Sequence, residues 1–300
     1  MTDTFQRTSR AARLPALALA VALAGWGCQP PVPGGGGGGG GAGEGPGHRA
    51  QTLGLTPEQE FSLGEQAYKE ILSKSQVLPQ SSPEVRRVRR VGERIAKAAA
   101  IKPLQKEINL HLQGYRFDWE FNVLRDKQVN AFCLPGGKVG VFTGLLQLTG
   151  DNDDELATVL AHEVAHALAH HSNERLTREN MRKRAVEAAG GSLGRMGEAE
   201  RRVLIGLLSG GTHLQSLAYD RKQESEADHI GIFLMTFAGF NPDAALRFWQ
   251  KMEQMSARGG HPPAILSTHP SDAKRIEEIR KWIPLAKAGK KAFDAGRVAR

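Results

Sequence analysis

Apolar and polar positions along the chain change period several times, and each change marks an element. At Thr56-Pro57-Glu58-Gln59 a threonine cap, a proline at the first helical position and a glutamine closing a capping box predict a helix start. Ser82-Pro83 opens a second helix, in which Val85, Val88, Val91 and Ile95 recur at helical spacing. The period then falls to two: Phe117, Trp119, Phe121 and Val123 alternate with polar residues, as in a half-buried strand. Asn130 to Thr143 reads as a strand, a Pro135-Gly136-Gly137 turn and a second strand, and its Pro and Gly content suits a sheet edge. From Asp151 the helical period returns. Asp151, Asp153 and Asp154 favour the positive end of a helix dipole, and Leu156, Val159, Leu160, Val164 and Leu168 follow as its apolar set. Residues 177–215 read as further helix broken by glycine pairs, and another helix surrounds Glu224. Asn241-Pro242-Asp243 starts one more, and Pro270 begins the last substantial one. No internal repeat interrupts this order, and no tandem helix-pair repeats follow it.

The first residues are of a different kind. Arg7, Arg10 and Arg13 precede an apolar run from Leu14 to Ala24 and then small residues up to Cys28, the layout of a secretory signal. That run is too short to span a bilayer comfortably, and no later segment reaches the roughly 20 apolar residues a transmembrane helix needs. Cys28 stands where a bacterial lipoprotein signal is cut, which makes it the expected lipid attachment. Gly25-Trp26-Gly27 departs from the usual residues before such a cysteine, and the alternative is ordinary cleavage leaving a free thiol. Pro31 to Gly47 contains eight consecutive glycines and reads as a flexible tether. The expected division is a signal over residues 1–27, a lipid-attachment cysteine and tether over 28–50, and a catalytic domain over 51–300. The expected location is periplasmic, with the N-terminal lipid in the outer membrane, because Gln29 rather than Asp follows the cysteine. Cys133 is then a lone thiol, so no disulfide framework holds the fold, and it reads as a small buried hydrophobe.

The formal net charge of +8 is spread through Arg86-Arg87, Arg89-Arg90, Arg182-Lys183-Arg184 and Lys290-Lys291. Nothing pairs that charge with base-reading or stacking groups, so a nucleic-acid partner is excluded. Solvated faces, helped by attraction to anionic headgroups, account for it.

The chemistry concentrates at His162-Glu163-Val164-Ala165-His166. Two histidines four apart on a helix leave one face a turn apart and can bind one ion, and Glu163 projects beside them as a base. The pattern that would supply a third histidine from the same segment fails, because Ala169 and Ser172 occupy its positions. His170 and His171 read as a solvated cationic helix end. Glu224 and Asp228, four apart on a later helix, are better candidates: Glu224 as a ligand, Asp228 as acceptor for a ligating histidine. Glu226 falls on another face and reads as a structural or solvated carboxylate.

Together, His162 to His166, Arg221 to Asp228 with Gly231, and Thr268-His269-Pro270 resemble the bacterial periplasmic branch of the metallopeptidases related to the CAAX prenyl endopeptidase and to the heat-shock peptidase HtpX. The resemblance covers about residues 55 to 285. It implies an α+β, mainly helical, minigluzincin-like fold with a small sheet whose edge strand borders the active-site helix. It also implies one zinc ion per chain on His162, His166 and Glu224, with Glu163 as general base and Asp228 orienting a ligand histidine. His269 would be a removable fourth ligand or line the site, and Arg275 would stabilise the oxyanion. The absence of integral membrane helices argues against prenylated substrates. The expected function is a zinc endopeptidase acting on unfolded or misassembled envelope proteins, with Lys138 to Thr143 as the edge that pairs with an extended peptide. The alternative is a non-catalytic, zinc-stabilised lipoprotein that acts as a chaperone or scaffold, against which the intact Glu163 argues.

Overall fold

The structure, a computed structural model, describes residues 47, 49–188, 219–257, 263–270 and 273–297. The expected signal, Cys28 and nearly all of the tether lie outside the described residues.

Two capped helices come first. In α1 (Pro57–Lys74) both halves of the Thr56–Gln59 capping box are present, and in α2 (Pro83–Ala99) the Ser82 side chain accepts from Val85 N. Val85, Val88, Val91 and Ile95 are all fully buried, so the 3.6-residue stripe of α2 is its core face. A short α3 (Lys102–Glu107) leads to the sheet.

The sheet has three strands, β1 (Glu120–Leu124), β2 (Ala131–Leu134) and β3 (Lys138–Phe142), in the order β1-β3-β2. β3 pairs in parallel with β1 and antiparallel with β2. This corrects one expectation: the strand at Lys138 is the central one, and β2 is an edge. The Pro and Gly residues that suggested an edge belong to the hairpin turn, where Gly136 and Gly137 adopt φ +78° and +84°, rather than to the strand after it. β1 begins later than the alternation suggested. Phe117 and Trp119 precede its ladder, with their rings stacked 5.3 Å apart.

After α4 (Thr143–Thr149), α5 (Asp153–Leu168) runs through the middle of the fold. Asn152 caps it by accepting from Asp154 N and Glu155 N, and every residue from Leu156 to Leu168 is buried. A helix buried all round needs partners on every side. It finds them in α2, β2, α7 (Arg221–Phe237) and α8 (Asp243–Ala257). Gly231 sets the approach of α7 to α5: a Cβ there would lie 3.2 Å from His162 N and 3.3 Å from the Ala161 carbonyl. The helix expected over 177–215 starts earlier, as α6 (His171–Ala188), and residues 189–215 lie outside the described residues. The short α9 (Ala264–Thr268) carries the chain to His269, and α10 (Ala273–Asp294) packs on α7. Among the described residues no helix is long and apolar enough to cross a membrane.

Candidate active site

Three elements converge on one point: α5 with His162 and His166, α7 with Glu224, and the end of α9 with His269. One ligand atom from each of these four buried side chains lies within 4.8 Å of all the others. His162 Nε2 is 3.1 Å from His166 Nε2 and 3.1 Å from His269 Nδ1, and Glu224 Oε1 is 2.9 Å from His269 Nδ1 and 3.4 Å from His166 Nε2. Nitrogens converging in this way suit a shared cation. Donors about 2.0–2.1 Å from a tetrahedral ion stand roughly 3.3 Å apart, close to these separations. The donor set therefore fits a metal ion.

Behind the cluster, Asp228 Oδ1 lies 3.0 Å from His162 Nδ1, and Arg275 is bound to Asp228 through Nε and Nη2 at 2.7 and 2.8 Å. Arg275 Nη1 also lies 2.8 Å from Glu224 Oε2. This relocates Arg275. The residue expected at the oxyanion has its guanidinium committed to two carboxylates, Glu224 of the cluster and Asp228 behind it.

In the chain by itself, burial is the largest influence on each of these groups. It drives the His166 imidazole well below its ordinary range and raises the Glu163 carboxyl. At His162 burial is outweighed by Asp228 and Glu224, which hold the imidazole up at about 9. Glu224 is pushed upward by burial but held well below the ordinary carboxylate range by His269 and Arg275. Without an ion the site thus presents an ionised Glu224 and a neutral His166, while His162 holds a proton that an ion would displace.

Two readings of the flanking residues change. His170, at φ +55°, reverses the chain between α5 and α6. As a result both His170 and His171 are buried rather than solvated. His170 stacks on Tyr115 with ring centroids 3.7 Å apart, and its Nδ1 lies 3.0 Å from Glu60. His171 Nε2 meets Glu226 Oε2 at 3.0 Å, so Glu226 is a buried partner and not a solvated carboxylate.

Glu163 borders a narrow cavity of about 20 Å³, room for about one water molecule. Asn130 to Leu134 form one wall, so edge strand β2 borders the active-site helix here. Cys133, on that wall, is buried, and burial raises its thiol. His269 Nε2 lies 3.3 Å from Glu163 Oε1, an oxygen with no hydrogen-bond partner. Two further lining residues were not legible in the sequence. The Tyr219 ring stacks on His166 with centroids 3.8 Å apart, and the Arg175 guanidinium lies 4.4 Å above the far Tyr219 ring. Both terminal nitrogens of Arg175 are shielded from solvent and have no hydrogen-bond partner. Tyr219 sits directly before the Asp220 cap of α7, a position that offered one signal; Arg175 offered none.

A largely helical α+β fold that buries a His-x-x-x-His helix against a glutamate-bearing helix is that of a metallopeptidase. The chain belongs to peptidase family M48, which it matches over residues 83–283. It is 37% identical over 238 residues to mitochondrial metalloendopeptidase OMA1 of Schizosaccharomyces pombe, covering 78% of this chain and 64% of that protein. With the Saccharomyces cerevisiae protein of the same name it shares 34% over 254 residues, 79% of this chain and 68% of the relative. With the beta-barrel assembly-enhancing protease of Escherichia coli strain K12 it shares 29% over 186 residues, 60% of this chain but only 37% of the relative. The chain thus spans less than two thirds of the fission-yeast relative's length.

These matches overturn the expected exported, periplasmic, outer-membrane location, because the two yeast relatives, aligned over more than three quarters of this chain, are mitochondrial proteins. The expectation rested on Arg7, Arg10 and Arg13 with a single acidic residue, Asp3, ahead of an apolar run, and basic, acid-poor stretches occur in mitochondrial targeting segments as well as in export signals.

Proposed function

We propose that the chain is a zinc-dependent endopeptidase that cleaves unfolded or misassembled proteins. The observation that carries this reading is Glu163: a buried carboxylate with an unpartnered oxygen, one residue from a metal-binding histidine and facing a cavity. His162, His166 and Glu224 would hold the ion. When bound there, zinc supplies Lewis acidity, polarising a carbonyl and making a water acidic enough to lose a proton near neutral pH.

Everything else falls to the chain's own side chains. Glu163 takes the proton from the attacking water and returns it to the departing amine, so the base becomes the acid and the proton count closes. Its upward shift by burial favours that second role. Arg175 Nη1 and Nη2, unpartnered beside the cavity, take the charge-stabilising role first expected of Arg275. Arg275 positions Asp228 and Glu224 instead. His269 stands among the ligand atoms and beside Glu163, and acts as a removable latch. The edge of β2 away from β3, which pairs with no strand among the described residues, offers backbone groups to an extended peptide, which reads main chain more than sequence and so suits unfolded substrates.

A non-catalytic scaffold would gain nothing from Glu163. A buried carboxylate oxygen without a partner costs about 1–3 kcal/mol, and an apolar side chain would fill its place at no such cost. Digestion of unfolded casein by the purified full-length chain tests the proposal. Cleavage should stop on chelation, return with zinc, and run several-fold faster in His269→Ala. A chain that leaves casein intact while carrying zinc would favour the scaffold, and an unchanged or slower His269→Ala would remove the latch.

A further inference from the structure

The two metal-binding histidines of α5 are supported in different ways. His162 rests on Asp228, which Arg275 holds from within the helical core. His166 has no carboxylate directly behind it; its Nδ1 lies 2.9 Å from Nδ1 of His171, whose own Nε2 lies 3.0 Å from Glu226 Oε2. The proton pattern along this path follows from the ends. His166 turns Nε2 toward the other ligand atoms and so carries its proton on Nδ1, which donates to His171. His171 then carries its proton on Nε2, which donates to the Glu226 carboxylate.

Glu226 is fixed in turn by a residue from the far end of the chain. Arg49, ahead of α1, donates from Nη2 to Glu226 Oε2 at 2.8 Å and from Nε to Glu226 Oε1, and it grips Glu174 through Nη1 and Nη2 at 2.5 and 2.7 Å. The residues around it dock on the same platform, the turn from α5 into α6. Gln51 Nε2 donates to the Ala169 carbonyl at the end of α5 at 2.6 Å, and Gly54 N and Leu55 N both donate to Asn173 Oδ1 at 3.1 Å. Asn173 Nδ2 donates back to the Leu55 carbonyl at 3.0 Å.

We infer that residues 49–55 form a strap that positions the metal site, with Arg49 as its positioning residue, acting on His166 through Glu226 and His171. Arg49 was expected to end a flexible tether; its contacts make it part of the folded domain. The physical logic is that of outer support for a ligating imidazole: fixing the ring's tautomer and angle raises affinity for the ion, and loss of such support typically costs 10–100-fold in metal binding. Arg49 suits this place because its planar fork meets each of two carboxylates with a pair of N–H donors, a fixed geometry that the point charge of a lysine does not reproduce.

The inference rests on the zinc reading above, and the test separates the two. Zinc dissociation constants are measured by competition with a chromophoric chelator for the full-length chain and for Arg49→Met, Arg49→Lys and Glu226→Gln, with the visible spectrum of the cobalt-substituted forms as a second readout. Arg49→Met should raise the zinc Kd about 10–100-fold and shift the cobalt bands, with Arg49→Lys in between. Glu226→Gln keeps the shape while deleting the charge and turning one acceptor oxygen into a donor; it should weaken binding in the same direction and reads the link even if Arg49→Met does not fold. Zinc affinity and cobalt spectra unchanged in folded variants, with only thermal stability reduced, would overturn the strap's role and leave the metallopeptidase reading standing. A parent chain that takes up no zinc would overturn both.

Discussion

Two arginines, Arg175 and Arg275, show how burial gives one residue type opposite tasks. Arg275 is fully paired: it holds Asp228 in a two-pronged contact and touches Glu224, so removing it strands two buried carboxylates. Breaking a buried pair of this kind costs about 3–5 kcal/mol, and Arg275→Met should lower unfolding stability by that order in urea titrations. Arg175 is the reverse case, a buried guanidinium end whose terminal nitrogens have no hydrogen-bond partner. Arg175→Met should leave stability unchanged or raise it while lowering kcat roughly 100-fold, the usual loss when one stabilising donor is removed. A stability loss in Arg175→Met with kcat intact would show that its charge serves the fold and not the reaction.

The helices place these side chains, and α5 against α7 is the contact that counts. Ala in place of Gly231 would gain about 1 kcal/mol of helix propensity. Its Cβ would also press on the backbone of α5 at 3.2 Å, where nothing flexible can yield, and overpacking costs about 1–3 kcal/mol. The second term wins, so Gly231→Ala should move Glu224 away from the histidines and lower metal affinity more than stability. The start of α5 gives a pH signature. Asp153 is pushed upward by burial, but Arg87 and Arg90 outweigh that and hold its carboxyl below the ordinary range. A depressed folded pKa contributes stability above the unfolded value near 3.9 and loses it as pH falls further. Urea titrations between pH 5 and 2.5 should therefore show part of the acid-side loss vanish in Asp153→Asn. Much of this architecture was legible because caps and periods are local: Thr56, Ser82 and the acidic residues Asp151, Asp153 and Asp154 announce their helices, and Val85 to Ile95 the buried face of α2, although the Asn152 cap itself was not read. Sheet order was not legible. The parallel pairing of β1 with β3 is long-range, and nothing within Lys138–Phe142 says that both its edges are used. His162, His166 and Glu224 could be read from spacing and His269 only from the resemblance, whereas burial of His171 and Glu226 involves Arg49, a partner 177 residues away from Glu226.

At the scale of the whole molecule, the site draws on nearly the full described chain. The strap at residue 49, helices α5 and α7, the turn after α9 and Arg275 at the start of α10 all meet around one cluster of donors. Such convergence couples folding to the metal, since ligands from distant segments come together only in the folded state. Among the described residues it also leaves Glu163 as a buried acid whose place is explained by reaction rather than by packing. Zinc content and casein cleavage measured together, in the parent chain and in Glu163→Gln, test this most directly. The account predicts close to one zinc per chain in both proteins, with cleavage in the parent and at least a thousandfold loss in the variant, on the order expected for removal of a general base that also serves as the acid. Equal cleavage by the two zinc-loaded proteins would contradict it.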